Sequence, residues 1–179
     1  MSELELEERF KKRLEEKFGG DITELTIQRR RRLWLTVKPE RLVDMMRFLC
    51  SEMEFNHLAT ITGMDLGENL AAFYHATDQH NIITVRALTP RANPAGRSAP
   101  GTDCGESRPV PSLPTVRDVF PGTESYEREL EDLFGIKIEG LPPGRHYPLP
   151  DDFPPGQHPL RKDWKLTDAY PEPAVKEAK

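Results

Sequence analysis

The sequence has very little cysteine. Cys50 and Cys104 are the two cysteines among 179 residues, and they do not form a CxxC pair. The chain alone therefore lacks the four-cysteine set of a typical iron–sulfur cluster or structural zinc site. The five histidines form no HxH or HxxxH pair, and GxGxxG, GxxxxGK and GxSxG motifs are also missing. These absences exclude many classes of metal- and nucleotide-dependent enzyme.

Long apolar runs are missing as well. The longest run spans only a few residues, so we expect no transmembrane helix. The first thirteen residues alternate charge with Leu and Phe and lack the apolar core of a secretory signal, which favours a cytoplasmic chain. The net charge of -5 argues against nucleic acid as the main partner.

Proline is nearly absent from the first half of the chain. Only Pro39 precedes residue 90, and the other 16 of the 17 prolines lie between Pro90 and Pro173. We therefore expect four segments, because proline disfavours regular structure. They are an α+β core at 1–90, a Pro/Gly-rich loop at 91–116, a helix with a return to the core at 117–140, and an extended partner-binding tail at 141–179.

The pattern within residues 1–90 predicts the order helix, strand, helix, strand, strand, strand. Apolar residues every fourth position from Leu6 to Phe18 predict a first helix, with Ser2 and Glu5 at capping-box spacing, and Pro39 opens a second one. The four strands are expected at 26–37, 58–64, 70–77 and 82–88. This order predicts an α+β fold: a small mixed or antiparallel sheet with helices on one face, followed by a Pro-rich extended C-terminal segment.

Four consecutive arginines, Arg29 to Arg32, interrupt the first predicted strand. On a strand, alternate side chains face opposite sides, so the four would not form one patch. A solvated strand or contact with an acidic partner is favoured over nucleic-acid binding.

A second helix signal runs from Glu124 to Phe134. Tyr126, Leu130 and Leu133 begin one apolar stripe, and Gly135 is well placed to end the helix. The many carboxylates of this helix would need burial to act as an acid–base pair. Two interpretations stay open, a solvated helix face and a charged face docked against basic residues of a partner.

The stretch from His158 to Trp164, HPLRKDW, is the most unusual part of the tail. It combines a rigid proline, an apolar Leu160, two cations, one anion and a large aromatic residue. Trp and Arg are favoured at interface hot spots, so this stretch is typical of a binding segment.

These two stretches carry a family resemblance. The helix pattern Glu127-Arg128-Glu129, then Asp132 and Gly135-Ile136, together with Pro159-Leu160-Arg161-Lys162-Asp163, resembles the 30-kDa subunit family of respiratory complex I. This family is also called the C subunit of NADH dehydrogenase, and it has relatives in membrane-bound nickel–iron hydrogenases and archaeal sulfane-sulfur reductases. Weaker similarity lies around Asp65, Tyr74-His75 and 110–112, so the resemblance covers most of 55–165.

Two departures from the family pattern favour the hydrogenase-like or sulfane-reductase-like branch. The helix is not followed by GHPxLRR, and a long Pro-rich insert precedes Val110. The C subunit of a true NADH/quinone oxidoreductase is the alternative. A stand-alone enzyme that uses the helix carboxylates and an RNA-binding module that uses the arginine run are the other hypotheses.

The resemblance implies a non-catalytic subunit on the cytoplasmic side of the cell membrane, held there by its complex. It implies no cofactor in this chain, with iron–sulfur clusters and any nickel–iron site in partner subunits. Those partners would be a hydrogenase-like large subunit, an iron–sulfur small subunit and, indirectly, antiporter-like membrane subunits. Part of the tail could instead cap the chain's own core. The expected interface residues are Glu127, Arg128, Glu129, Asp132, Gly135, Pro159, Leu160, Arg161, Lys162, Asp163 and Trp164.

Overall fold

The computed structural model describes residues 4–91 and 110–169. Within these ranges, two helices and five strands of the N-terminal part are followed by a short second sheet around a third helix. In chain order the elements are α1 (Glu5–Phe18), β1 (Ile22–Arg29), β2 (Arg32–Val37), α2 (Leu42–Glu52), β3 (His57–Asp65), β4 (Asn69–Thr77), β5 (Ile82–Pro90), β6 (Ser112–Pro114), α3 (Glu124–Phe134), β7 (Lys137–Glu139) and α4 (Leu166–Ala169).

The first five strands form one mixed sheet in the order β1-β2-β5-β4-β3. Strands β2 and β5 pair in parallel, and the other neighbours are antiparallel. Inward residues of this sheet join residues of α1, α2 and α3 in one hydrophobic core. The predicted α+β fold with a mixed sheet is confirmed. No helix in the described part of the chain is long and apolar enough to cross a bilayer.

The expected single strand at 26–37 is wrong, because the chain turns back inside it. Strands β1 and β2 form an antiparallel hairpin in which Arg29 pairs with Arg32. The turn contains no Gly or Asn, the residues that usually mark a hairpin turn. Instead Arg31 takes a positive φ of 65°, and its backbone N–H donates to the carboxylate of Glu7 at 2.5 Å. Glu7 is only 2% exposed, so α1 stabilises the turn through a buried carboxylate.

A second, two-stranded sheet contacts α3 through its strand β7. Strands β6 and β7 pair in parallel, with Leu113 opposite Ile138. Strand β6 lies inside the range 91–116 that we expected to be loop. The rest of that loop at 92–109, which includes Cys104 and the Pro-rich insert, lies outside the described residues, as does Ser2 of the proposed cap.

Helix α3 packs against β3 at a glycine. A Cβ atom added to Gly63 would lie 2.3 Å from the ring of Phe134 and 2.9 Å from Leu130. Such distances are far below van der Waals contact, so any larger residue would force the side chains of Phe134 and Leu130 to move. Gly63 therefore fixes α3 over the strand that ends at Asp65.

Candidate docking site

Helix α3 is where the two family motifs meet. It spans the predicted range, and Gly135 ends it in the left-handed region with φ 68°. The N–H groups of Gly135 and Ile136 donate to the carbonyls of Glu131 and Leu130, which satisfies two carbonyls of the last turn. A Cβ at Gly135 would lie 2.5 Å from the imidazole of His158, so this glycine also provides the space into which the tail packs.

Glu127, one of the expected interface residues, makes contacts within the chain. It is fully buried, and its carboxylate accepts hydrogen bonds from the Thr115 hydroxyl at 2.6 Å and the Val116 N–H at 2.7 Å. Burial raises the pKa of Glu127, while these two donors oppose that rise. Because the carboxylate is bonded within the chain, it anchors the segment after β6 to α3.

Arg128 connects α3 to the start of the tail. Its guanidinium donates to the Glu124 carboxylate at 2.9 Å and to the Pro142 carbonyl at 2.8 Å. The side chain is only 12% exposed. Glu129 is half-buried and makes no hydrogen bond or ion pair with any other residue at 4–91 or 110–169. Of these two neighbours, Glu129 is the better candidate for an intermolecular contact.

Asp132 binds the tail through both its side chain and its backbone. The carboxylate accepts the Tyr147 N–H at 2.6 Å and lies 2.8 Å from Nδ1 of His146. Its backbone carbonyl lies 2.9 Å from Nδ1 of His158. The hydrogen bond with Asp132 raises the pKa of His146. Asp132 therefore pairs within the chain, and its contact with a cation of a partner stays a prediction.

The PLRKD motif joins the tail to both α3 and the end of β3. The backbone N–H of Leu160 donates to the Leu133 carbonyl at 3.1 Å, and that of Lys162 donates to the Asp65 carboxylate at 2.9 Å. Asp163 forms an ion pair with Arg91 at 2.5 Å. The backbone and the anion of this motif therefore face the chain's own core.

Asp65 is the acceptor at the centre of this junction. Its side chain is 1% exposed, and Arg91 lies 3.5 Å away. Burial alone would raise the pKa of Asp65, but the N–H donors of Lys162 and Gly67 and the charge of Arg91 hold it below its usual range. Asp65 was part of the weaker resemblance, whereas Arg91 was missed because nothing in the sequence pairs it with Asp163.

The outward side of the junction is apolar with one cation. Leu160 is 52% exposed and Lys162 is exposed, whereas Pro159, Arg161 and Trp164 are half-buried. The Trp164 indole N–H donates to Gln157 at 3.0 Å, and Arg161 lies 3.8 Å from Asp163. Leu166 of α4, two residues after Trp164, is also exposed. We call Leu160, Lys162 and Leu166 the junction surface.

The described residues offer no obvious metal centre. Across residues 4–91 and 110–169, no group of three or more His, Cys, Asp or Glu side chains could hold a metal ion. Cys50 is a free, half-buried thiol that packs against the core. His75 lies 3.0 Å from the Thr84 hydroxyl, and burial lowers its pKa.

A sequence profile of the family described as "Respiratory-chain NADH dehydrogenase, 30 Kd subunit" matches residues 35–170, which include α3 and the PLRKD motif. The chain belongs to this family. Its resemblance to the family, inferred from the two motifs, is confirmed.

Individual members of the 30-kDa family match over most of the chain. The chain is 34% identical to the C subunit of NADH-quinone oxidoreductase from Chelativorans sp. (strain BNC1), over 75% of this chain and 61% of that protein. It is 30% identical to the corresponding protein from Geobacter sulfurreducens, over 90% of this chain and 91% of that protein. It is 31% identical to membrane-bound hydrogenase subunit beta of Pyrococcus furiosus, over 83% and 78%. The chain spans only about 60% of the C subunits from Chelativorans and Rhodopseudomonas palustris.

A solved structure shows the same fold. A chain in the structure of the membrane-bound sulfane sulfur reductase, described as an archaeal respiratory membrane complex, aligns with a TM-score of 0.69. The alignment covers 98% of this chain and 96% of that chain at 24% identity. At this level of identity the similarity concerns the fold alone.

Proposed function

We propose that this chain is a non-catalytic, peripheral subunit of a membrane-bound, complex I-like oxidoreductase. In this role it docks on a hydrogenase-like large subunit and stabilises the electron-transfer module. The observation that carries the proposal is the family match over residues 35–170, which includes both motifs that meet at α3. The relatives named as subunits of NADH-quinone oxidoreductase and of membrane-bound hydrogenase support it.

The junction surface is the proposed contact with the large subunit. It combines exposed apolar side chains with the cation of Lys162. Half-buried Glu129 on α3 adds an anion that has no ion-pair partner among residues 4–91 and 110–169. Specific interfaces have an apolar centre and a polar rim, and this composition fits that description. Asp65 and Asp132 hold the backbone of the tail in place beneath this surface. This favours binding, because a preordered surface loses less conformational entropy when it docks.

The hydrogenase or sulfane-reductase branch is the proposed assembly. The Pro-rich insert and the missing GHPxLRR support that branch, whereas the match to the Geobacter sulfurreducens relative over 91% of its length favours a true NADH/quinone enzyme as the second candidate. In either assembly the iron–sulfur clusters and any nickel–iron site belong to partner subunits. An iron–sulfur small subunit and antiporter-like membrane subunits complete the complex on the cytoplasmic side of the membrane.

A pull-down from native membranes in gentle detergent tests the docking role. The tagged wild-type chain is compared with Leu160→Glu, and recovered partners are identified by mass spectrometry. Because a buried charge in an interface centre costs several kcal/mol, we expect Leu160→Glu to recover at least about tenfold less large subunit. Leu6→Glu is the matched control, since Leu6 is also exposed, at 41%, and lies on α1.

The results separate the alternatives. Recovery of the wild-type chain without any partner would contradict the docking role and direct attention to a stand-alone activity. Equal loss of the large subunit with both glutamate variants would remove the junction surface from the proposal. Assays of the wild-type eluate for hydrogen evolution, sulfur reduction and NADH oxidation then distinguish the branches.

A further inference from the structure

The hairpin turn between β1 and β2 presents four exposed arginines at one end of the main sheet. We call Arg29, Arg30, Arg31 and Arg32 the arginine turn. The sequence pattern predicted that these side chains would alternate between two faces of a strand. Because the chain reverses at Arg30 and Arg31, the four charges instead gather around one tip.

The backbone of the arginine turn is held from two sides. The Arg31 N–H donates to buried Glu7 of α1, and the Arg31 carbonyl accepts the Ile82 N–H at 2.9 Å. The turn is therefore fixed to both α1 and the start of β5. A rigid backbone beneath four long cations is a preordered arrangement for binding.

The four guanidinium groups have no anionic partner within the described residues. No carboxylate at 4–91 or 110–169 lies within 4.0 Å of them, although Arg41, Arg86, Arg91, Arg128 and Arg145 all form ion pairs. Two carboxylates of neighbouring elements accept hydrogen bonds from other groups. Glu7 accepts the Arg31 N–H, and Asp78 of the neighbouring turn accepts N–H donors from His80 and Asn81. Four cations without an ion-pair partner in the described part of the chain concentrate positive charge on a protein of net charge -5.

The arginine turn lies at the opposite end of the sheet from the junction surface. Arg32 pairs with Ile82 at the start of β5, whereas Asp65 and Pro90 lie at the far ends of their strands, beside Leu70 and Asn69. Strand β4 has nine residues, which corresponds to a separation of about 30 Å. A partner at the arginine turn therefore has its own contact area.

The composition of the arginine turn favours an oxyanion as its ligand. A guanidinium forms two parallel hydrogen bonds with a carboxylate or a phosphate, and the turn contains arginine without any lysine. None of the large exposed apolar residues of the described chain lies on the turn, which disfavours insertion into a bilayer. The net charge of -5 repels a long polyphosphate, so a short acidic segment of a protein fits the arginine turn better than nucleic acid does.

We propose that the arginine turn is a second docking surface, which binds an acidic segment of another protein subunit. The segment presents two or more Asp or Glu side chains on a short loop or helix end. The identity of the assembly rests on the proposed function, whereas the binding chemistry rests on the turn itself. The chain would then bridge two partners from opposite ends of its sheet.

Photo-crosslinking in the purified complex tests this proposal. Two variants are prepared, one with a photoreactive phenylalanine analogue in place of Arg30 and the other with it in place of Leu160. The crosslinked peptides of each are identified by mass spectrometry. We expect position 30 to link to a peptide rich in Asp and Glu, on a different surface from the peptide that links to position 160. We further expect Arg29→Glu with Arg30→Glu to lower recovery of that subunit by about tenfold or more.

Two matched variants complete the experiment. Lys11→Glu with Lys12→Glu reverses two charges on α1 and should leave recovery unchanged, whereas Arg29→Lys with Arg30→Lys keeps the charge and should show an intermediate loss. Crosslinking at position 160 without any protein crosslink at position 30 would overturn this proposal and leave the proposed function intact. The proposal would also be overturned if Arg29→Glu with Arg30→Glu weakened binding to phosphatidylserine vesicles or to RNA but left recovery of the subunit unchanged. If neither position crosslinks to another protein and the wild-type chain recovers no partner, both proposals are contradicted.

Discussion

The backbone N–H of Lys162 donates to the carboxylate of Asp65 at 2.9 Å, although 97 residues separate them in the chain. Arg91 extends this contact by pairing with Asp163. The PLRKD motif therefore closes the chain's own fold with its backbone and its anion, while Leu160 and Lys162 face outward. The tail can therefore both cap the core and bind a partner. Its backbone and Asp163 make the internal contacts, and the side chains of Leu160 and Lys162 are exposed for the external one.

The Arg91–Asp163 pair is expected to contribute more to stability than an exposed pair of equal length. The Arg91 side chain is 16% exposed, whereas Arg145 and Asp151, paired at 2.6 Å, are 85% and 63% exposed. Double-mutant cycles to alanine, read by urea unfolding, should give a coupling of about 1 kcal/mol for Arg91–Asp163. The Arg145–Asp151 cycle should give close to zero. Equal couplings would show that burial does not strengthen the junction.

Glu127 is expected to make the folded protein sensitive to pH. Burial raises its pKa, so the folded state holds the proton more tightly than the unfolded state does. The contribution of Glu127 to stability is then greatest below its ordinary pKa and decreases as the pH rises through the folded value. Glu127→Gln removes this titration, so the stability of the variant relative to wild type should increase between pH 4 and pH 7.

Glu127→Ala is the control for the hydrogen bonds of the same side chain. It leaves the Val116 N–H buried without an acceptor, whereas glutamine keeps one. The free energy of unfolding of Glu127→Ala should therefore lie about 2 kcal/mol below that of Glu127→Gln across this pH range. Equal unfolding free energies for the two variants would contradict the anchoring role of Glu127.

Local patterns predicted the parts of this protein that depend on local structure. The apolar period of α3 and the position of Gly135 were sufficient for that helix. Its buried carboxylate was missed because glutamate is rarely buried, although Glu127 lies three residues before Leu130 and seven before Phe134, on the same side of the helix.

Two other features required contacts that sequence spacing does not show. The hairpin was missed because its turn depends on Glu7 of α1 and not on a Gly or Asn in the turn itself. The internal contacts of Asp132 and Asp163 were missed because each bonds to a segment far away or to an irregular tail. Sequence spacing alone therefore does not distinguish a charged residue that binds its own chain from one that binds a partner.

Gly135→Ala is expected to be more destabilising than Gly156→Ala. Both glycines have a positive φ, 68° and 73°, so both substitutions introduce similar backbone strain, about 1 kcal/mol. A Cβ at Gly156 meets no atom within 4 Å, whereas one at Gly135 meets the His158 ring. Thermal or urea unfolding should show an additional loss of about 1–3 kcal/mol for Gly135→Ala. Similar losses for both variants would mean that His158 moves away without effect on stability.

His146 is expected to titrate above its ordinary pKa because it is hydrogen-bonded to Asp132. A raised histidine pKa in the folded state means that this contact is fully formed at low pH and is lost as the pH rises through the folded value. In an NMR titration, Asp132→Asn should lower the His146 pKa toward its ordinary value. Asp151→Asn is the control, because Asp151 adds only a smaller charge effect and should lower the pKa less.

The same titration should affect the backbone of the tail. The Tyr147 N–H donates to Asp132, so its hydrogen-exchange protection factor, corrected for the intrinsic rate, should decrease in the wild type as His146 loses its proton. In Asp132→Asn the protection should be low and independent of this titration. A wild-type protection factor that stays constant while the His146 signal titrates would show that the tail is held at α3 without the imidazolium, by the backbone contacts of His158 and Leu160 alone.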